Sequence, residues 1–241
     1  MTEDLLERAG DLQWYHALEL APGHVTPGMF DLRPFVGHYH LPERMDGLRV
    51  LDVGTWDGFW AFEFERRGAH VTGLDIDDLS TLDFPPRRRP TEFPAEKRGQ
   101  GFHLAREIFG SSAERVVCNI YDARPEDLGT FDVVFAGSIL IHLRDQLLAL
   151  ERIANLVRPG GLFISAEEYD LASNFVPFKV SRYRADRESA VVFWLPSIRT
   201  WKNMIWTAGF DEVEQKDRFR MRSPHGFYVR HAVFHARRAP A

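Results

Sequence analysis

This sequence is poor in the features that mark secreted, membrane-spanning and nucleic-acid-binding chains. It has one cysteine, Cys118, so no internal disulfide can form and a reducing compartment is expected. No apolar run approaches the ~20 residues that cross a bilayer, and no membrane partner is expected. The opening residues, MTEDLLERAG, are too acidic and polar for a secretory signal, which points to a soluble, cytoplasmic protein. Excess positive charge is missing as well. The net charge is -5 and the pI is about 6.1, so nothing global drives the chain toward nucleic acid. The ten histidines are scattered, His38 and His40 make no ligand set alone, and no carboxylate or cysteine cluster has metal spacing, so no metal is expected. Internal repeats are absent too. Aromatics, by contrast, are plentiful: 19 Phe and 6 Trp can fill a large core in one α/β domain with a modest extension.

The chain is organised around Arg49 to Trp60, RVLDVGTWDGFW. Leu48, Val50, Leu51 and Val53 read as a buried parallel strand. After Asp52 the chain turns through Gly54, Thr55, Trp56, Asp57 and Gly58 into an amphipathic pattern. Such a turn brings backbone N–H groups up to a ligand. A second apolar stretch, Val71 to Leu74, ends in Asp75, an acid placed to accept hydrogen bonds from a ribose diol. Asp77 and Asp78 follow and could take that role instead.

Residues 4–18 carry apolar positions at helical spacing and read as one or two short helices. Residues 1–46 are too few for a stable domain and are read as a helical cap on residues 47–241. Within the larger unit, strands are expected over 48–53, 70–74, 115–118, 131–136, 162–166, 213–217 and 225–236. Helices are expected over 58–67, 102–109, 144–157 and 197–208, with an irregular, proline-rich stretch over 77–101. This alternation predicts a Rossmann-like, doubly wound, largely parallel sheet.

LDVGTWDGFW, the acid Asp75, Asn119-Ile120-Tyr121-Asp122, FDVVFAGSILIHL over 131–143 and LVRPGGLFI over 156–164 resemble the successive motifs of class I S-adenosylmethionine-dependent methyltransferases. Trp14-Tyr15-His16, Thr26-Pro27-Gly28 and Trp194-Leu195-Pro196-Ser197 are similar to the subgroup that includes the tRNA wobble-uridine 5-carboxymethyl transferases. The resemblance implies a seven-stranded sheet with an antiparallel last strand and S-adenosyl-L-methionine over the carboxyl ends of strands one to four. Two departures stand out. Trp56 takes the place of the usual third glycine, and Ile141 precedes His142 where the tRNA enzymes carry a tyrosine that serves the carboxylated cofactor.

Carried onto this sequence, the resemblance implies a cofactor site of Asp52, Gly54, Thr55, Trp56, Gly58, Asp75, Ile76, Ile120, Tyr121, Asp122 and Gly137. Asp52 either reaches the methionine ammonium or simply braces the turn. Asp122 lies near the adenine amino group or caps a turn before Pro125, and Ile76 and Ile120 wall the adenine face. His142 is the candidate catalytic base, or a histidine that packs the loop after strand four. Trp14, Tyr15 and His16 form a lid or a packed helix, and Arg87-Arg88-Arg89 grip phosphate or lie in solvent. Phe30, Tyr39, Phe175, Tyr183, Phe193 and Trp194 are expected around a small-molecule acceptor, methylated at oxygen in biosynthesis. A tRNA-modifying transferase and a non-catalytic cofactor-binding protein are the alternatives. The oligomeric state is left open.

Overall fold

The computed structural model describes residues 3–93, 98–186, 189, 191–222 and 226–239. Seven strands form the main sheet: β1 (Arg49–Val53), β2 (His70–Asp75), β3 (Glu114–Val117), β4 (Phe131–Gly137), β5 (Val157–Glu168), β6 (Phe210–Arg222) and β7 (Tyr228–Arg238). Their order is β6-β7-β5-β4-β1-β2-β3. β7 runs antiparallel to both its neighbours, whereas the pairs from β5 through β3 are parallel. The expected Rossmann-like sheet with its antiparallel last strand is therefore present.

Both faces of the sheet are covered, as parallel strands require. On one face α2 (Phe59–Glu65) and α3 (Gln100–Phe109) join a core with Val50, Phe135, Ile164 and Val233, to which residues of the first 46, including Trp14, Leu32, Tyr39 and Met45, also belong. After the single turn of α4 (Pro125–Leu128), α5 (Gln146–Leu156) and α6 (Ile198–Thr207) cover Leu51, Val134, Phe163 and Phe234 on the other face. Among the described residues, no helix is long and apolar enough to cross a membrane.

Several boundaries differ from the sequence reading. Of the expected helical stretch 4–18, only the part within Glu3–Gly10 is helical (α1). The chain from Trp14 to Ala17 is extended, because its backbone pairs with Met29 and Phe30, a partner that local periodicity cannot reveal. α5 stops at Leu156, and β5 starts at Val157 by pairing with Phe131, so Pro159-Gly160-Gly161 lies inside an irregularity of β5. β6 is far longer than expected, its register shifting twice where it stays polar and exposed. His225, the expected start of the last strand, lies outside the described residues.

Candidate active site

The turn after β1 is tied down before any ligand arrives. Gly54 at φ 77° and Gly58 at φ 85° use left-handed backbone that glycine adopts freely. A Cβ at Gly54 would press on Ile139 at 3.0 Å, and one at Gly58 would enter the Phe62 ring at 2.6 Å. The Gly54 N–H donates to the Leu74 carbonyl at 2.8 Å, fastening the turn to β2. Trp56 also takes left-handed backbone, at φ 46°, which explains why the resemblance expects glycine there. For a bulky residue that conformation costs about 1–2 kcal/mol. Contacts offset it: the Trp56 N–H donates to Asp75 Oδ2 at 2.8 Å, its ring stacks on Tyr15 at 4.3 Å, and the Arg98 guanidinium lies 3.6 Å from the ring centre.

Asp75 is buried at the tip of β2, with Oδ1 accepting from the Ile76 N–H at 2.8 Å and Oδ2 from Arg98 Nη2 at 3.2 Å. The rival acids are otherwise engaged. Asp77 pairs with the buried Arg115 at 2.6 Å, and Asp78 accepts from the Ser80 N–H at the start of a short turn. Ile120 is buried and Ile76 half-buried, as apolar walls would be. Tyr121 instead ties loops together, its hydroxyl donating to Asp83 Oδ2 at 2.7 Å and accepting from the Asp145 N–H at 3.0 Å. Asp122 is exposed, and Gly137 ends β4.

Asp52 and Thr55 test whether the residues fit a bound S-adenosylmethionine. Both are fully buried on the described structure, and neither Asp52 Oδ2 nor Thr55 Oγ1 has a hydrogen-bond partner. Burial pushes the Asp52 carboxyl up to about 7. A buried carboxylate oxygen without a donor is costly, and an ammonium group would satisfy it. The residues fit.

At the end of β4 the chain enters a one-turn helix, Leu140–His142. His142 Nδ1 lies 2.6 Å from the Val191 carbonyl. Only a protonated Nδ1 can bond there, which leaves Nε2 as the lone-pair nitrogen of the neutral ring. Burial holds its pKa below the ordinary value, the Arg98 charge adding to the effect. The turn is braced from beneath by Glu167, whose Oε1 accepts from the N–H groups of Ile139 and Leu140, each at 3.2 Å. Desolvation raises the Glu167 carboxyl to about 8.

Four further residues belong to this edge and were missed in the sequence. Asp57 Oδ2 accepts from the Tyr15 and His16 N–H groups at 2.6 and 2.9 Å, fastening the leading segment over the turn. Its carboxyl is raised to about 6 by burial, with those N–H groups opposing. Glu167 sat in plain view inside the apolar run FISAEEY, where a buried acid needs a reason. Ser138, left-handed at φ 56°, places its hydroxyl 2.8 Å from Nε2 of the buried His231. Neither that contact, across β5, nor Arg98, supplied by the loop after β2, has a local signal.

Tyr15 and His16 pack as part of an extended segment. Arg88 donates to the Asp186 carbonyl and Arg89 to the Ser80 carbonyl, so those two cations of the arginine run are bound to backbone. Tyr39 and Phe193 are buried, whereas Phe175 is 82% exposed. Among the described residues, no group of three or more His, Cys, Asp or Glu could hold a metal.

Known proteins are similar to this chain in sequence and fold. A family model described as a methyltransferase domain matches residues 24–215. A ubiquinone biosynthesis O-methyltransferase of Vibrio parahaemolyticus is 33% identical over 66% of this chain and 57% of its own. A tRNA U34 carboxymethyltransferase of Desulforapulum autotrophicum is 26% identical over 68% of this chain and 45% of its own. The chain thus spans about half the length of these curated relatives. In fold it is similar to the N-terminal domain of EvdMO1 solved with S-adenosylhomocysteine bound, at TM-score 0.65 and 17% identity over 99% of this chain and 98% of that one. The chain belongs to the methyltransferase-domain family, the class I S-adenosylmethionine-dependent enzymes.

Proposed function

We propose that this protein transfers a methyl group to an oxygen of a small or medium-sized organic acceptor, as a cytoplasmic biosynthetic enzyme. The observation that carries this reading is His142, a neutral imidazole held through Nδ1 on the Val191 carbonyl with Nε2 left free to take a proton. It follows β4 directly, at the sheet edge where the turn after β1 also ends. When bound, S-adenosylmethionine supplies a sulfonium methyl group with a neutral leaving group. The protein then has to orient the acceptor, keep water out and accept the hydroxyl proton.

The residues on this edge are suited to those tasks. Asp52 and Thr55 offer the buried acceptors that would hold the amino-acid end, and Asp75 those for the ribose. Tyr39, Trp60 and Phe193 are buried aromatics that exclude water. Residues 1–46 act as a cap on residues 47–241, anchored where Asp57 receives the Tyr15 and His16 amides. The O-methylating relative, at 33% identity, supports oxygen as the acceptor atom.

The test is a release assay for S-adenosylhomocysteine across phenols, sugars and hydroxy acids, with bulk tRNA as a separate arm. Products gaining one methyl at oxygen are expected from the small-molecule arm. Turnover on tRNA alone would refute the reading.

A further inference from the structure

α6 buries Trp201 and Ile205 and turns Arg199, Lys202 and Trp206 outward. Two adjoining grooves, of about 350 and 370 Å³, run along this outer side and share Arg199 and Lys202. Arg218 and Val176 complete the first, Lys179 and Trp206 the second, and no carboxylate lines either. In a chain of net charge -5, four cations without an acid among them form a local field opposite to the whole. Of the acids nearby, Glu214, which senses Lys202, is paired with Lys216, and Asp217, beside Arg218, with His38 and His40.

The adjoining segment 171–178, tied to α6 where the Ile198 N–H donates to Asn174 Oδ1 and Arg199 to the Val176 carbonyl, exposes bulky apolar groups, as does Trp206 on α6. Phe175 is 82% exposed, Phe178 71% and Trp206 62%, with Leu171 and Val176 also outside. Exposed aromatics at this density do not arise from a core that ran out of room, since Trp201 and Phe210 close by are fully buried.

We infer that the outer side of α6 and the segment 171–179 form a docking surface for an anionic lipid bilayer, with Lys179, Arg199, Lys202 and Arg218 on the headgroups and Phe175, Phe178 and Trp206 at the acyl boundary. Aromatic and aliphatic bulk ringed by cations is the composition of an interfacial surface. Single-stranded nucleic acid would use flat rings along a phosphate track, a role that Leu171 and Val176 cannot serve. A second copy docked symmetrically would set the same cations against each other. The sequence expectation of no membrane partner rested on spanning length, which an interfacial contact does not need. This inference is independent of the acceptor.

The experiment uses the full chain with vesicles of phosphatidylcholine alone and of equal parts phosphatidylcholine and phosphatidylglycerol, read by flotation. Binding is expected on the anionic vesicles only. K179E/K202E should weaken it by more than about tenfold, as should F175S/F178S. Trp206 fluorescence should shift to the blue on binding, and W206F should lose that shift. Unchanged S-adenosylhomocysteine binding by the variants shows that they are folded and separates this test from the methyl-transfer reading. No flotation on anionic vesicles, equal flotation on neutral ones, or charge-reversed protein floating like wild type would overturn the inference. So would an RNA gel shift or a dimer that K179E/K202E abolishes while vesicles stay unbound.

Discussion

Arg98 and Asp75 form a buried ion pair, Nη2 to Oδ2 at 3.2 Å, at the tip of β2 where a ribose is expected to bind. Asp75 also receives the N–H groups of Trp56 and Ile76, so a carboxylate with about four acceptor positions has three already in use. A ribose diol can take the remaining position and must displace Arg98 to gain another.

Asp75→Ala is therefore expected to weaken S-adenosylhomocysteine binding by about 1–3 kcal/mol, the loss of a charged acceptor. Arg98→Ala should behave differently. Leaving Asp75 unpaired lowers the stability of the ligand-free protein by about 3 kcal/mol, and the ligand should restore more Tm in this variant than in wild type. Thermal shift with and without ligand measures both. An equal ligand-induced shift in the two proteins would show that the ribose does not meet Asp75.

Stability should fall as pH rises above neutrality. Asp52 and Glu167, raised to about 7 and about 8, hold protons in the folded state that the unfolded chain has lost. Their contribution is present at low pH and disappears as pH rises through the folded values. His16 and His231, depressed to about 3 and about 4, act in the opposite sense, and their contribution is complete above the ordinary value of 6.5. Above that pH these two acids carry most of the change, and a loss on the order of 2 kcal/mol is expected by about pH 8.5. Denaturant midpoints against pH check this, and the Asp52→Asn, Glu167→Gln double variant should flatten the curve.

His142→Ala should lower turnover on an acceptor found in the screen by about 10²–10⁴-fold, the usual effect of losing a base. Cofactor affinity should hardly change. Because burial depresses the His142 pKa, the acid limb of the wild-type rate profile should lie below the ordinary histidine range, activity falling as Nε2 is protonated. A loss of only about tenfold, with the acid limb intact, would assign His142 to packing instead.

Ordinary S-adenosylmethionine should be preferred over its carboxylated form. Ile141 is buried in the turn after β4 and offers no hydrogen bond where the tRNA enzymes carry tyrosine. Competition calorimetry with both cofactors decides, and a preference for the carboxylated form would restore the tRNA reading.

How legible was this in the sequence? The alternation of elements, the glycine turn and the acid at Asp75 all rest on local signals: short apolar runs, helical spacing, glycines after a strand and a polar residue at a strand end. The sheet and its antiparallel last strand followed. What escaped notice depends on contacts distant in sequence. The extended Trp14–Ala17 segment takes its conformation from Phe30, and Arg98 reaches Asp75 across 23 residues. Ser138 meets His231 across 93. Asp57, read only as part of a turn, proves to hold the leading segment through two backbone amides, an interaction that only the fold brings about.

The most direct test of the central claim is calorimetry of wild-type protein with S-adenosylhomocysteine across about pH 6 to about pH 8. The account predicts one site per chain and affinity that rises with pH, because Asp52 must ionise through about 7 to receive the ligand's ammonium group. Asp52→Asn should bind more weakly and lose the pH dependence. Absence of binding by wild type throughout this range would contradict the account.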